Sequence, residues 1–147
     1  MLNIHTLPLG DYQTNTYIVH APDSKGCVVI DPGYLPERIL REVTKLGLSV
    51  DAVLLTHGHF DHTGAYHDVK EVYPEALLLS SEKETEVIYN PGKSFLESDK
   101  PIKVDKFLSE NDTVDFGECS LKVIETPGHT VGSICLYYPG TLFSGDT

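Results

Sequence analysis

The sequence predicts an α/β (α+β) fold in which helices cover β-sheets. Short runs of apolar and β-branched residues, separated by Gly, Pro and Asp, are typical of strands, and stretches with helical spacing lie between them. The order is strands with interspersed helices and then strands again, which favours layered sheets over a helical bundle. With 147 residues and 40% hydrophobic content, the chain has the size and composition of one domain, residues 1–147.

The first half contains four predicted strands and one clear helix. The strands are the apolar runs at residues 17–19, 27–30, 52–55 and 76–79. Four apolar residues between the second and third runs have helical spacing: Ile39, Leu40, Val43 and Leu46. Because Pro36 suits a first helical turn and Gly47 a helix end, the pattern predicts an amphipathic helix over residues 36–46.

Two further helices are predicted after the third strand. One covers residues 63–72 and ends before Pro74, since the residue preceding a proline disfavours helical backbone. Another begins at Ser81, where Ser81 and Glu84 have the spacing of a capping box. Residues 89–106 carry no periodic pattern, so we predict a loop there.

The last third is predicted to form two hairpins. Runs at residues 113–116 and 120–125 are joined through Gly117, and runs at 133–138 and 141–144 are joined through Pro139 and Gly140. The chain would therefore end in an antiparallel sheet.

Charge and composition exclude several classes of partner. The chain has 22 acidic and 11 basic side chains, a formal charge of −11, which repels phosphate backbones and anionic lipid. We expect a small-molecule substrate, no nucleic acid and no membrane. The N-terminus lacks the basic opening and apolar run of a secretion signal, and the three cysteines form no Cys-x-x-Cys pair. Both features favour a reducing cytoplasm.

A histidine-rich motif follows directly on the predicted strand at 52–55. It contains His57, His59, Asp61 and His62. Residues two apart on an extended segment face the same way, so His57 and His59 can reach one point. Asp61 and His62 can reach an adjacent point after the turn. The spacing suits two neighbouring cations, whereas a surface turn that is merely rich in histidine is the alternative.

Two later residues occupy similar positions after predicted strands. His129 follows the strand at 120–125, and Asp146 follows the last one. Taken alone, His129 is more typical of a turn or core histidine and Asp146 of a turn aspartate. Histidine and carboxylate ligands suit zinc, with iron or manganese as alternatives.

A pair of cations lowers the pKa of a shared water, which is the chemistry of a hydrolase. The sequence offers no convincing protein nucleophile in its place. It lacks the Gly-x-Ser-x-Gly elbow, and no cysteine has a histidine close in sequence.

The histidine-rich motif, the later His129 and the later Asp146 together resemble the metallo-β-lactamase superfamily, in particular its glyoxalase II-like branch. The resemblance implies an αββα sandwich, with His57, His59 and His129 on a first metal. Asp61, His62 and Asp146 would hold the second, Asp146 bridging both. It further implies that a metal-bound hydroxide, oriented by Asp61, attacks an acyl thioester such as a hydroxyacyl-glutathione. Asp31 resembles the aspartate that supports the ligand loop from behind, and residues 12 and 15–17 are expected to border the cleft.

The resemblance covers the first sheet and the opening of the second, and a last histidine ligand of the family has no counterpart. We therefore expect a chain incomplete at its C-terminus, binding the first metal more tightly than the second.

Three other functions stay open. One is a mononuclear-iron persulfide dioxygenase, and another is a lactonase or phosphodiesterase of the same superfamily. The third is a metal-binding module without catalysis.

Overall fold

The computed structural model describes residues 2–10, 14–85, 88 and 102–146. Ten strands lie within these residues: β1 (Asn3–Leu9), β2 (Thr14–His20), β3 (Gly26–Ile30), β4 (Ser49–Leu54), β5 (Leu77–Ser81), β6 (Lys106–Leu108), β7 (Thr113–Phe116), β8 (Cys119–Glu125), β9 (Ile134–Tyr138) and β10 (Thr141–Phe143). The described helices are α1 (Pro36–Lys45), α2 (Phe60–Thr63) and α3 (Tyr66–Val72), and a 3₁₀ helix spans Glu82–Glu84. The predicted α/β class is confirmed.

The strands form two sheets. In the first, the order is β1-β2-β3-β4-β5-β6, with antiparallel pairing from β1 to β3 and parallel pairing from β3 to β6. Parallel pairing brings the carboxyl ends of β3, β4 and β5 to the same edge of the sheet. The second sheet is antiparallel, with the order β10-β9-β8-β7, and it contains both predicted hairpins.

Apolar side chains fill two separate layers. Ile39 and Val43 of α1 and Val69 of α3 pack against one face of the first sheet. The other face of that sheet packs on the second sheet, where Leu54 and Leu136 are fully buried. The layers therefore run helix, sheet, sheet, which is three of the four layers of the expected sandwich.

The outer face of the second sheet carries exposed apolar side chains. Tyr137 and Leu142 are opposite each other on β9 and β10, and they are 42% and 55% exposed. No helix among the described residues covers them. None of the described helices has the length and apolarity that crossing a membrane requires.

Helix α1 begins at the predicted residue and ends at Lys45, one residue before the predicted end. Pro36 occupies the first turn after Leu35, which has a left-handed backbone (φ 50°), and Gly47 follows the helix with φ 71°. Glu37 in the first turn and Lys45 in the last complement the helix dipole.

The structure differs from the sequence prediction in three respects. The helix expected over 63–72 is two helices, α2 and α3, and α2 begins at Phe60 within the histidine-rich motif. Strands β1 and β6 were not predicted, because neither has a clear alternating pattern. The capping box is only half formed: Ser81 accepts a hydrogen bond from the backbone nitrogen of Lys83, but the carboxylate of Glu84 bonds to other loops.

Candidate metal centre

All six predicted ligands lie at one edge of the molecule, on three segments that each follow a strand. The first segment follows β4 and carries the four residues of the histidine-rich motif, with Asp61 and His62 on α2. The loop after β8 brings His129, and the end of β10 brings Asp146. Strand β3 ends at the same edge, where Asp31 follows Ile30.

Three imidazoles form what we call the three-histidine cluster: His57, His59 and His129. Their ring centroids are 4.7 to 5.0 Å apart. Nδ1 of His59 lies 3.0 Å from Nε2 of His129. One ligand atom from each residue lies within 4.8 Å of the others, so the cluster could hold one metal ion.

A second group, the carboxylate cluster, contains His57, Asp61, His62 and Asp146. Nε2 of His62 lies 3.4 Å from Oδ2 of Asp61 and 3.2 Å from Oδ1 of Asp146. Its ligand atoms also lie within 4.8 Å of one another. The two clusters share His57, which makes them adjacent.

Asp146 faces both clusters with different oxygen atoms. Its Oδ2 lies 3.2 Å from Nε2 of His129 and 3.5 Å from Nε2 of His57. Its Oδ1 faces His62. With this orientation, Asp146 could offer one oxygen to a cation at each cluster.

The donor atoms fit a pair of divalent cations. Separations of 3.0 to 3.5 Å between facing donor atoms match the about 3.3 Å expected around a tetrahedral ion with bonds of roughly 2.0–2.1 Å. Nε2 of His57 is buried, and nothing among the described residues hydrogen-bonds to it, although Oδ2 of Asp146 lies 3.5 Å away. A buried polar atom without a partner is rare in folded proteins, and a metal ion would satisfy it.

Two buried histidines at this site have opposite pKa shifts. Burial, together with the neighbouring imidazoles of His62, His59 and His129, lowers the pKa of His57 to about 2. Burial would also lower the pKa of His62, but the hydrogen bond and charge of Asp31, with Asp146 and Asp61, outweigh it and raise the pKa to about 9. The pKa of His59 is lowered, first by burial and then by His129.

Asp31 supports the carboxylate cluster from the interior. Its backbone is left-handed (φ 53°) and its side chain is buried. Oδ1 accepts a hydrogen bond from the backbone nitrogen of Thr56 at 2.8 Å, and Oδ2 accepts one from Oγ1 of Thr56 at 2.7 Å. Oδ2 also lies 2.8 Å from Nδ1 of His62, which leaves Nε2 of that ring directed at the cluster.

A cleft of about 150 Å³ opens beside the carboxylate cluster. Asn15 and Tyr17, which were expected to border the cleft, line it together with Asp61. Tyr12 lies outside the described residues. Thr14 also lines the cleft and donates a hydrogen bond to Oδ2 of Asp61 at 3.3 Å.

Three side chains that contact the ligand loops were not predicted from the sequence: Thr14, Thr56 and Glu84. Thr56 directly precedes His57, and a hydroxyl beside a predicted ligand could have indicated that Thr56 supports the site. No local pattern indicates that Thr14 or Glu84 contacts the ligand loops, because their partners lie 26 to 48 residues away in sequence.

Comparison with known proteins identifies the family of this chain. The sequence profile of the metallo-beta-lactamase superfamily matches residues 9–147. The chain belongs to this superfamily. Its resemblance to the superfamily, inferred from the motifs, is confirmed.

Several proteins similar to this chain are named hydroxyacylglutathione hydrolase. The one from Aeromonas hydrophila is 36% identical over 121 residues, which are 82% of this chain and 42% of that protein. The chain spans about half the length of the relatives with this name that it matches.

Solved structures of superfamily members superimpose closely. The B3 metallo-beta-lactamase BLEG-1 matches with a TM-score of 0.81 and 32% identity, over 98% of this chain and 71% of that one. TTHA1623, solved in a di-iron-bound form, matches with a TM-score of 0.80 and 30% identity, over 95% of this chain and 70% of that one. The expected fold is thus confirmed.

Proposed function

We propose that the chain carries the metal centre of a hydrolase that cleaves acyl thioesters, with a hydroxyacyl-glutathione as the leading substrate. The observation that carries the proposal is the buried, unpartnered Nε2 of His57 at the point where the two clusters meet. The name of the Aeromonas hydrophila relative supports the choice of substrate.

We assign His57, His59 and His129 to a first cation, and Asp61, His62 and Asp146 to a second, with Asp146 between them. When bound, two divalent cations lower the pKa of a shared water and withdraw electrons from the substrate carbonyl. Imidazole and carboxylate donors suit zinc, whereas the di-iron form of TTHA1623 supports iron as the alternative.

The chain's own residues orient the reaction. Asp61 is the catalytic residue in this proposal, because it belongs to the carboxylate cluster and also lines the cleft, where its carboxylate can accept a hydrogen bond from the attacking water. Thr14, which lines the same cleft, donates a hydrogen bond to that carboxylate. The cleft beside Asn15 and Tyr17 is open to an acyl group, and the thiolate departs toward solvent.

We also propose a reducing, cytoplasmic setting. Cys27, Cys119 and Cys135 are buried and form no disulfide in the described chain. Burial, with the charge of Asp51, raises the pKa of Cys27 to about 12, so this thiol is unreactive. Cell fractionation of the natural host with an antibody to the chain tests the location, and recovery outside the cytoplasm would contradict it.

The test of function is hydrolysis of lactoyl-glutathione and of a simple acyl thioester by zinc-loaded, iron-loaded and metal-free protein. We expect turnover only with metal. The variant Asp61→Ala, with its histidines intact, should lose most turnover while the three-histidine cluster still binds metal. A module that only binds metal would show no turnover with or without Asp61. Oxygen uptake by the iron-loaded form with a persulfide would instead favour a dioxygenase. Absence of turnover above the metal-free level would refute the hydrolase proposal.

A further inference from the structure

Glu84 is a buried carboxylate that the proposed reaction does not use. It lies at the end of the 3₁₀ helix that follows β5, and its side chain is 0% exposed. A buried carboxylate is unfavourable unless hydrogen bonds compensate for the lost hydration. Glu84 receives three such bonds, and every donor belongs to a loop that carries a histidine of the three-histidine cluster.

One oxygen of Glu84 binds the histidine-rich loop. Oε1 accepts a hydrogen bond from the backbone nitrogen of Gly58 at 2.8 Å. Gly58 is the residue between His57 and His59, so this bond restrains the backbone that orients both imidazoles. Hydrogen bonds to a charged acceptor are about twice as strong as neutral ones.

The other oxygen binds the loop that carries His129. Oε2 accepts hydrogen bonds from Oγ1 of Thr130 and from the backbone nitrogen of Gly132, each at 2.9 Å. Oγ1 of Thr130 lies 2.6 Å from Oγ of Ser133, so its own position is restrained as well. Thr130 follows His129 directly.

The contact between Glu84 and the second loop leaves no spare room. A Cβ on Gly132 would run into the backbone nitrogen of Glu84 and into its carboxylate. The 3₁₀ helix and the loop are therefore in direct contact, and a glycine is required where they meet.

We propose that Glu84 is a positioning residue for the three-histidine cluster. By holding the two loops to one carboxylate, it sets the separation between His59 and His129, residues 70 apart in sequence. The cation affinity of the cluster then depends on Glu84, although Glu84 offers it no ligand atom. This inference rests on the proposed metal binding and extends it to a side chain outside the ligand set.

The decisive variant is Glu84→Gln, which keeps the shape of the side chain. An amide offers one acceptor oxygen, so either Gly58 or Gly132 must face the amide nitrogen, which cannot accept its hydrogen bond. The matched control is Glu82→Gln, an exposed position on the same 3₁₀ helix. Thr130→Val removes only one of the three bonds and serves as a milder variant.

The affinity is measured by titrating metal-free protein with Co²⁺ and following visible absorption. Asp61→Ala is introduced into every sample, so that the carboxylate cluster lacks a ligand and the three-histidine cluster dominates binding. We expect Glu84→Gln to weaken Co²⁺ binding about 10- to 100-fold, as supporting residues of metal sites do. The Thr130→Val variant should weaken it less, and Glu82→Gln should not change it. Thermal unfolding of each metal-free variant verifies folding.

The outcomes separate this inference from the proposed function. If the parent chain, which carries Asp61→Ala, does not bind Co²⁺, the proposed metal centre is wrong, and the proposed role of Glu84 is wrong as well. If the parent binds Co²⁺ and a folded Glu84→Gln variant binds equally tightly, only the role of Glu84 is wrong. If Glu84→Gln does not fold, Thr130→Val decides: unchanged affinity would overturn the inference, and reduced affinity would support it.

Discussion

Two neighbouring histidines at this site, His57 and His62, have opposite pKa shifts. Ring centroids of His57 and His62 are 4.2 Å apart and both side chains are buried, yet the pKa of one is lowered and that of the other is raised. His57 has imidazoles around it, whereas His62 bonds to the buried carboxylate of Asp31. Burial alone therefore does not determine the charge of a histidine, because its partner does.

A related difference bears on the cation binding that we propose. The three-histidine cluster would bind a cation through imidazoles, with the carboxylate of Asp146 beside it. The carboxylate cluster would add the carboxylates of Asp61 and Asp146. Each cluster is supported by one buried acid: Glu84 holds the loops of the first, and Asp31 holds the second.

The largest expected effect comes from the residue placed between the two cations. Asp146→Ala removes the carboxylate whose two oxygens face both clusters, so we expect it to bind neither cation tightly. The loss of cation assistance is worth several kcal/mol in the transition state, so turnover should fall by at least about 10³-fold. Elemental analysis after dialysis and thioester hydrolysis measure the two effects.

His129→Ala is the comparison for that variant. It removes a donor from the three-histidine cluster alone, so metal at the carboxylate cluster should persist. Equal metal loss in the two variants would contradict the assignment of Asp146 to both cations.

A smaller effect is expected when the support of the carboxylate cluster is removed. Asp31→Ala leaves the buried backbone nitrogen and hydroxyl of Thr56 without their acceptor, and it frees Nδ1 of His62. Unsatisfied buried groups of this kind should lower the free energy of unfolding by roughly 3 kcal/mol. Urea denaturation of metal-free protein measures the change. A loss under about 0.5 kcal/mol, typical of surface positions, would show that Asp31 is not a structural support.

The smallest expected effects are on stability and come from two glycines, one beside each cluster. A Cβ on Gly33 would run into the carbonyl oxygen of Asp61, so Gly33→Ala should displace that backbone and destabilise the fold by about 1–3 kcal/mol. At Gly128, next to His129, no atom lies within 4 Å of the place that a Cβ would take, so Gly128→Ala should change stability by less than about 0.5 kcal/mol. Thermal unfolding of the two variants tests this, and equal destabilisation would contradict it.

Much of the site was predictable because its residues follow strands at short, regular spacing. The runs before His57, His129 and Asp146 are apolar enough to identify β4, β8 and β10, and a residue just after a strand lies at a sheet edge. Helix α1 was equally clear from its apolar spacing and its terminal residues. Glu84 was misread as part of a capping box, because a local spacing rule gives no information about a partner 46 residues away.

Residue types and their order along the chain determined the class of fold, the candidate ligands and the kind of chemistry they can support. Tertiary structure decided which of those residues meet, how Asp146 divides its oxygens between the clusters, and which buried acid supports each one. The physical reason is distance along the chain. Hydrogen bonds join residues 25 to 84 apart in sequence, which only the packed sheets bring together, and no short stretch of sequence encodes their geometry.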